Sequence, residues 1–174
     1  MSKGKGRVAL YGLMVALAFV LSYLEALFPL PIGIPGIKLG LANLVVVVAL
    51  YRLGAGHALG ISCVRILLAG LTFGSPVTMI YSFCGGLMSF AAMVLCRRTG
   101  RLSVYGVSMA GGVFHNVGQI LAAMAALQTV QVAWYLPILL PVGLLTGGLN
   151  GFLAAQIQRR STGKGQAGGD CDPG

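Results

Sequence analysis

The stretch VALYGLMVALAFVLSYLEALF, from Val8 to Phe28, is apolar along its length apart from Tyr11, Gly12, Ser22, Tyr23 and Glu25, and it follows Lys3, Lys5 and Arg7. A helix needs about 20 such residues to cross about 30 Å of hydrocarbon. A basic start followed by an apolar run also describes a secretory signal, but the run exceeds the roughly 7–15 residues of a signal core and no Ala-x-Ala site follows it. We therefore read it as a retained first span.

The rest of the chain repeats the pattern. Of 174 residues, 57% are hydrophobic and 9% charged, and the mean hydropathy is +0.89; a soluble domain carries about a quarter charged residues. Pro29, Pro31 and Pro35 with Gly33 and Gly36 break the first helix and make a stiff loop. A short run then covers about Leu39 to Tyr51, followed by runs from about His57 to Thr72, Pro76 to Cys96, Val104 to Leu127 and Tyr135 to Ile157. Pro76 suits a first helical position. The run over 39–51 is short for a perpendicular span, and a partly irregular or re-entrant element there is tolerable only if packed inside protein. These segments predict an all-α integral membrane protein, a bundle of about six transmembrane helices over 8–157, with a cytoplasmic N-terminus at 1–7 and a disordered cytoplasmic tail at 158–174.

The cations test that count, since the positive charge should fall in alternate loops. With six spans, Lys3, Lys5, Arg7, Arg52, Arg97, Arg98, Arg101, Arg159, Arg160 and Lys164 share one side, Lys38 lies opposite, and Arg65 lies within a span. This distribution assigns the net charge of +9 to topology in a lipid bilayer rather than to nucleic acid. Trp134 and Tyr135 then mark the outer end of the last span. The four cysteines have no Cys-x-x-Cys pair and no His at ligand spacing, so neither a disulfide framework nor a zinc site is expected.

Helices in lipid approach closely where residues are small. Gly143, Gly147 and Gly151 recur every fourth residue on the last helix, and Gly12 with Ala16, then Ala18 with Ser22, do something similar on the first. Each stripe reads either as packing within the bundle or, for the first helix, as a face that docks a partner membrane protein.

Ionisable groups inside a membrane are costly and are functional candidates by default. Glu25 is the one acid before the tail, and Arg65 sits well inside the third span. Glu25 reads either as a structural partner for Lys38 or Arg65 or as a group that holds a polar part of a ligand, and Arg65 must meet a carboxylate, of which Glu25 is the candidate, backbone carbonyls or an anionic ligand. Lys38 and Asn43 flank the end of the Pro-rich loop and are placed to close over a bound molecule or to mark an interface. His115, Asn116 and Gln119 lie within one and a half turns of the fifth span, with Gly111, Gly112 and Gly118 leaving room beside them. That group reads as interhelical hydrogen bonding or as a ligand-binding face; one His with amides is a poor metal site.

Enzymes acting on diphosphates use carboxylates to hold magnesium, yet beyond Glu25 the only acids are Asp170 and Asp172. There is no phosphate-binding Gly-x-x-x-x-Gly-Lys loop and no Ser, His and acid set in plausible register. No catalytic residues, metal or cofactor are expected, and the chain reads as a non-enzyme.

Four segments together carry a resemblance: Lys38-Leu39-Gly40-Leu41-Ala42-Asn43-Leu44, Phe73-Gly74-Ser75, Gly85-Gly86-Leu87-Met88-Ser89 and His115-Asn116-Val117-Gly118-Gln119. The chain, from about residue 8 to 158, resembles the bacterial family known both as heptaprenyl diphosphate synthase component I and as Gx transporter. That family in turn resembles the S components of energy-coupling-factor (ECF) transporters. The likeness implies a multi-pass protein of the bacterial cytoplasmic membrane that captures a small-molecule substrate and associates with a coupling membrane subunit and two cytoplasmic ATPases. It implies a pocket roofed by the Lys38 loop and lined by Glu25, Asn43, Arg65, His115, Asn116 and Gln119, with Gly12 and Ala16 meeting the coupling subunit. The synthase label implies instead a membrane subunit that assists a soluble prenyl diphosphate synthase in polyprenyl or menaquinone synthesis.

Overall fold

A computed structural model describes residues 2–27 and 40–166 of the chain. Among them are six α-helices: α1 (Ser2–Leu27), α2 (Leu41–Arg52), α3 (Ala55–Thr72), α4 (Pro76–Arg98), α5 (Val104–Leu127) and α6 (Leu136–Gln166), with a 3₁₀ segment, Val130–Tyr135, before α6. All but α2 contain a stretch long and apolar enough to cross a membrane, so the chain is a multi-pass all-α membrane protein.

The connections follow local chemistry. Ser75 caps α4 through its hydroxyl and the Thr78 N–H, reciprocated by the Thr78 hydroxyl, and Pro76 occupies the first turn as expected. Ser103 caps α5. Trp134, 82% exposed, stands just ahead of α6. The sequence boundary at 157 falls inside α6, whose backbone stays helical to Gln166. Residues 167–174 of the expected disordered tail lie outside the described residues, as do Lys38 and the Pro-rich loop.

α2 organises the bundle. Its 12 residues rise about 18 Å, too little to cross the hydrocarbon. Val45, Val46, Val47, Val48, Ala49 and Leu50 are all buried, and six consecutive helical residues point in every direction around the axis. α2 is thus enclosed, packing on α1, α3 and α6, with Met93 of α4 and Val107 of α5 in the same core. The short run is an unbroken helix shielded from lipid by its neighbours.

The outer helices invert the soluble pattern. Leu13, Leu17, Leu71, Ile80, Leu95, Leu121 and Leu145 are exposed, while glycine and serine face inward. α5 is wedged between α4 and α6 on two small-residue stripes. Gly111 lies against Met93 and Ser89, and Gly118 against Cys84 and Gly85 of α4. Ser108 and Gly112 lie against Gly143 and Gly147 of α6, where a Cβ on Gly147 would meet the Ser108 carbonyl oxygen at 2.6 Å. The Gly143, Gly147, Gly151 stripe is therefore internal packing. On α1, Ala18 and Ser22 are buried, whereas Gly12 and Ala16 face outward, with nothing within 4 Å of a Cβ built on Gly12.

A methyl group at Gly112 would overlap the Gly143 carbonyl oxygen, so Gly112→Ala must push two backbones apart. We expect it to destabilise the protein by about 1–3 kcal/mol. Gly148→Ala, whose Cβ meets only Met109 at 3.8 Å, should be neutral or slightly stabilising through helix propensity. Thermal unfolding of both variants in detergent checks the contrast.

Candidate functional site

A helix that begins inside a membrane bundle exposes N–H groups that lipid cannot satisfy. α2 begins at Gly40, in left-handed conformation at φ 68°, and has no side-chain cap of its own. The first N–H, that of Leu41, donates instead to Glu25 Oε1 of α1 at 2.6 Å. An anion at a helix N-terminus is also favoured by the helix dipole. From the opposite side, Asn150 Nδ2 of α6 donates to the Gly40 carbonyl at 2.8 Å, which also accepts from the Asn43 N–H at 2.8 Å.

The other end of α2 is held by cations. Arg97 Nη1 of α4 donates to the Leu50 carbonyl, and its guanidinium lies 4.9 Å from the Tyr51 ring centroid. Arg52 Nη2 reaches the Ile157 carbonyl of α6 at 3.4 Å.

Around the start of α2 the polar side chains fall into two adjoining groups. In the first, Arg65 of α3 interacts electrostatically with Glu25, and its Nη1 donates to Ser22 Oγ at 3.3 Å. The Ser22 hydroxyl donates onward to the Ala18 carbonyl at 2.9 Å. The second group surrounds a cavity of about 20 Å³ between α2, α4, α5 and α6, lined by Gly40, Asn43, Ser89, Ser108, His115, Asn116, Thr146 and Asn150 among others. Asn116 Nδ2 donates to the Leu139 carbonyl at 2.7 Å, so its amide also ties α5 to α6. The cavity is lined by hydrogen-bonding groups and by no carboxylate, Lys or Arg side chain; Glu25 and Arg65 sit beside it, on α1 and α3.

A family profile described as heptaprenyl diphosphate synthase component I matches residues 14–157, nearly all of the helical bundle. The chain belongs to the heptaprenyl diphosphate synthase component I family. No curated protein and no solved structure matches it.

In this component I protein the predicted residues separate by place. Glu25 and Arg65 come together; Asn43, His115 and Asn116 line the cavity. Gln119, one turn beyond His115, packs its side chain over Gly85 of α4 instead, where a Cβ on Gly85 would meet its Cγ at 2.7 Å, and it is not among the residues that line the cavity. Lys38 lies outside the described residues. Sequence reasoning missed Asn150, Ser89, Ser108 and Thr146. The available signal was Asn150, the one Asn in a last span whose other polar side chains are Thr146 and Gln156 besides Tyr135 at its start, in the sequence Gly147-Gly148-Leu149-Asn150-Gly151.

Glu25→Ala would strip the acceptor from the Leu41 N–H and the counter-charge from Arg65. Both side chains are half-buried, so a loss of about 1–3 kcal/mol is expected, the cost of leaving a backbone donor inside the bundle unsatisfied. Glu25→Gln keeps an acceptor and should cost less, and adding Arg65→Met to Glu25→Gln should restore part of the loss. Unfolding of these variants and of Arg65→Met alone in mixed micelles measures this coupling; additive effects would show that the two charges act independently.

Proposed function

We propose that this component I protein is a substrate-capture subunit, comparable to an ECF S component, serving an ATP-driven importer and carrying no catalytic motif of its own. The observation that supports this most is the position of α2. An enclosed helix that stops part-way up the bundle leaves the hydrogen-bonding groups of its neighbours converging at mid-depth instead of on lipid, and such groups are costly to keep there without use. Asn43, His115 and Asn116 would contact the polar end of an amphipathic small molecule, with Glu25 and Arg65 beside it. A cavity of about 20 Å³ admits only that end, and the body of the molecule would lie outside it.

The outward face of Gly12 and Ala16 supports the docking half of the reading. It offers a flat track among exposed Leu13, Leu17 and Val20, suited to close approach by a helix of the coupling membrane subunit. Both termini would then lie in the cytoplasm of a bacterial cell, on the side of the two ATPases. The family name supports a different partner, since a first component implies others, among them a soluble prenyl diphosphate synthase.

Affinity purification of the tagged chain from its native membranes in mild detergent separates the two. Recovery of a coupling membrane subunit with two ATPases is expected; recovery of a prenyl synthase without them would overturn the importer reading. Mass spectrometry of extracts from the purified protein should reveal a small molecule other than bulk phospholipid. Its retention should fall at least tenfold in Arg65→Met or His115→Leu, corresponding to about 1.4 kcal/mol or more of binding.

A further inference from the structure

Asn150 is 3% exposed. Its Nδ2 is engaged by the Gly40 carbonyl, but its Oδ1 has no hydrogen-bond partner among the described residues. An orphaned buried acceptor costs about 1–3 kcal/mol, and here the same side chain lines the cavity. About 10–15 Å³ suffices for one water molecule, so a cavity of about 20 Å³ has room for one such group.

The chemistry of that group follows from its surroundings. An unpaired carbonyl oxygen requires a donor or a cation, which excludes an anion. No carboxylate lines the cavity, and the positive end of the α2 dipole opens beside it, which disfavours a cation. The Thr146 hydroxyl is already turned to the Val142 carbonyl at 2.9 Å, leaving its oxygen lone pairs as acceptors. The Ser89 and Ser108 hydroxyls, the Asn43 and Asn116 amides and the His115 ring complete a polar lining without Lys, Arg or carboxylate.

We propose that this cavity is a site for a single uncharged hydroxyl donor bonded to Asn150 Oδ1: a water molecule in the ligand-free protein, replaced by a hydroxyl of the captured molecule. The second half rests on the capture reading; the first does not. Donation to Oδ1 polarises the amide and strengthens its Nδ2–H bond to Gly40. Occupancy of the cavity is thereby transmitted to the first turn of α2.

Crystals of the full chain grown from a lipidic mesophase, in sodium chloride and in choline chloride, test this at a resolution that shows ordered water. A density peak about 2.7–3.0 Å from Asn150 Oδ1 is expected in both salts, and it should vanish in Asn150→Leu. An empty cavity, or a peak that requires sodium, would overturn the assignment, and the wild-type protein alone decides this if the leucine variant fails to fold. A peak belonging to the hydroxyl of a co-purified molecule would uphold both halves. A water peak in protein whose extracts contain phospholipid alone would uphold the site while removing the capture reading.

Discussion

A helix too short to cross the bilayer has to be surrounded by protein and capped at both ends, and the arrangement of this molecule follows from meeting that requirement for α2. Lipid offers no hydrogen bonds, so each polar group at the ends of α2 must come from a neighbouring helix. Glu25 of α1 and Asn150 of α6 hold the first turn, and Arg97 of α4 holds the last. The signs match the dipole, with an anion at the N-terminal end and a cation at the C-terminal end. Both charges are thus explained by one buried helix, and Arg65 by the need to balance Glu25.

Much of this architecture was readable in the sequence, for reasons that differ by element. The long spans are legible because apolar runs bounded by Gly, Pro and Arg have few alternatives at this composition; Pro76 and Val104–Leu127 fall where the pattern puts them. The run over 39–51 was readable as anomalous, because Val45–Val48 without polar punctuation suits burial on all sides, yet only the packing shows an unbroken helix. The glycine stripe on α6 was visible as a stripe. Its partner was not, because a small residue reports that something approaches closely without reporting what.

The site was legible in part, and the gaps have one cause. Polarity in an apolar run marks Arg65 and His115, but direction depends on helix rotation that periodicity fixes poorly when nearly every neighbour is apolar. Gln119 shares a face with His115 by spacing, and both lie against Gly85 of α4, yet of the two only His115 lines the cavity. Asn150 lay within a glycine-rich stripe that reads as packing, so its amide was masked by an explanation sufficient for its neighbours. Ser89, Ser108 and Thr146 are unremarkable alone, since a hydroxyl in a membrane helix can satisfy itself on its own backbone; only convergence gives them meaning.

The bundle divides mechanically along the line where these groups meet. α4, α5 and α6 are bound by glycine-mediated backbone contacts that leave little slack, since a single methyl at Gly112, Gly118 or Gly147 would collide with main chain. α1, α2 and α3 are joined to that block through larger side chains and through discrete polar links at Gly40, Leu50 and Arg52. Close-packed backbones move as a unit, whereas polar links between side chain and main chain can exchange partners at modest net cost. Any conformational response to an occupant should therefore move the first three helices against the last three. The cavity beneath Gly40 lies on that seam, so a group bound there touches both halves and can bias their relative position directly.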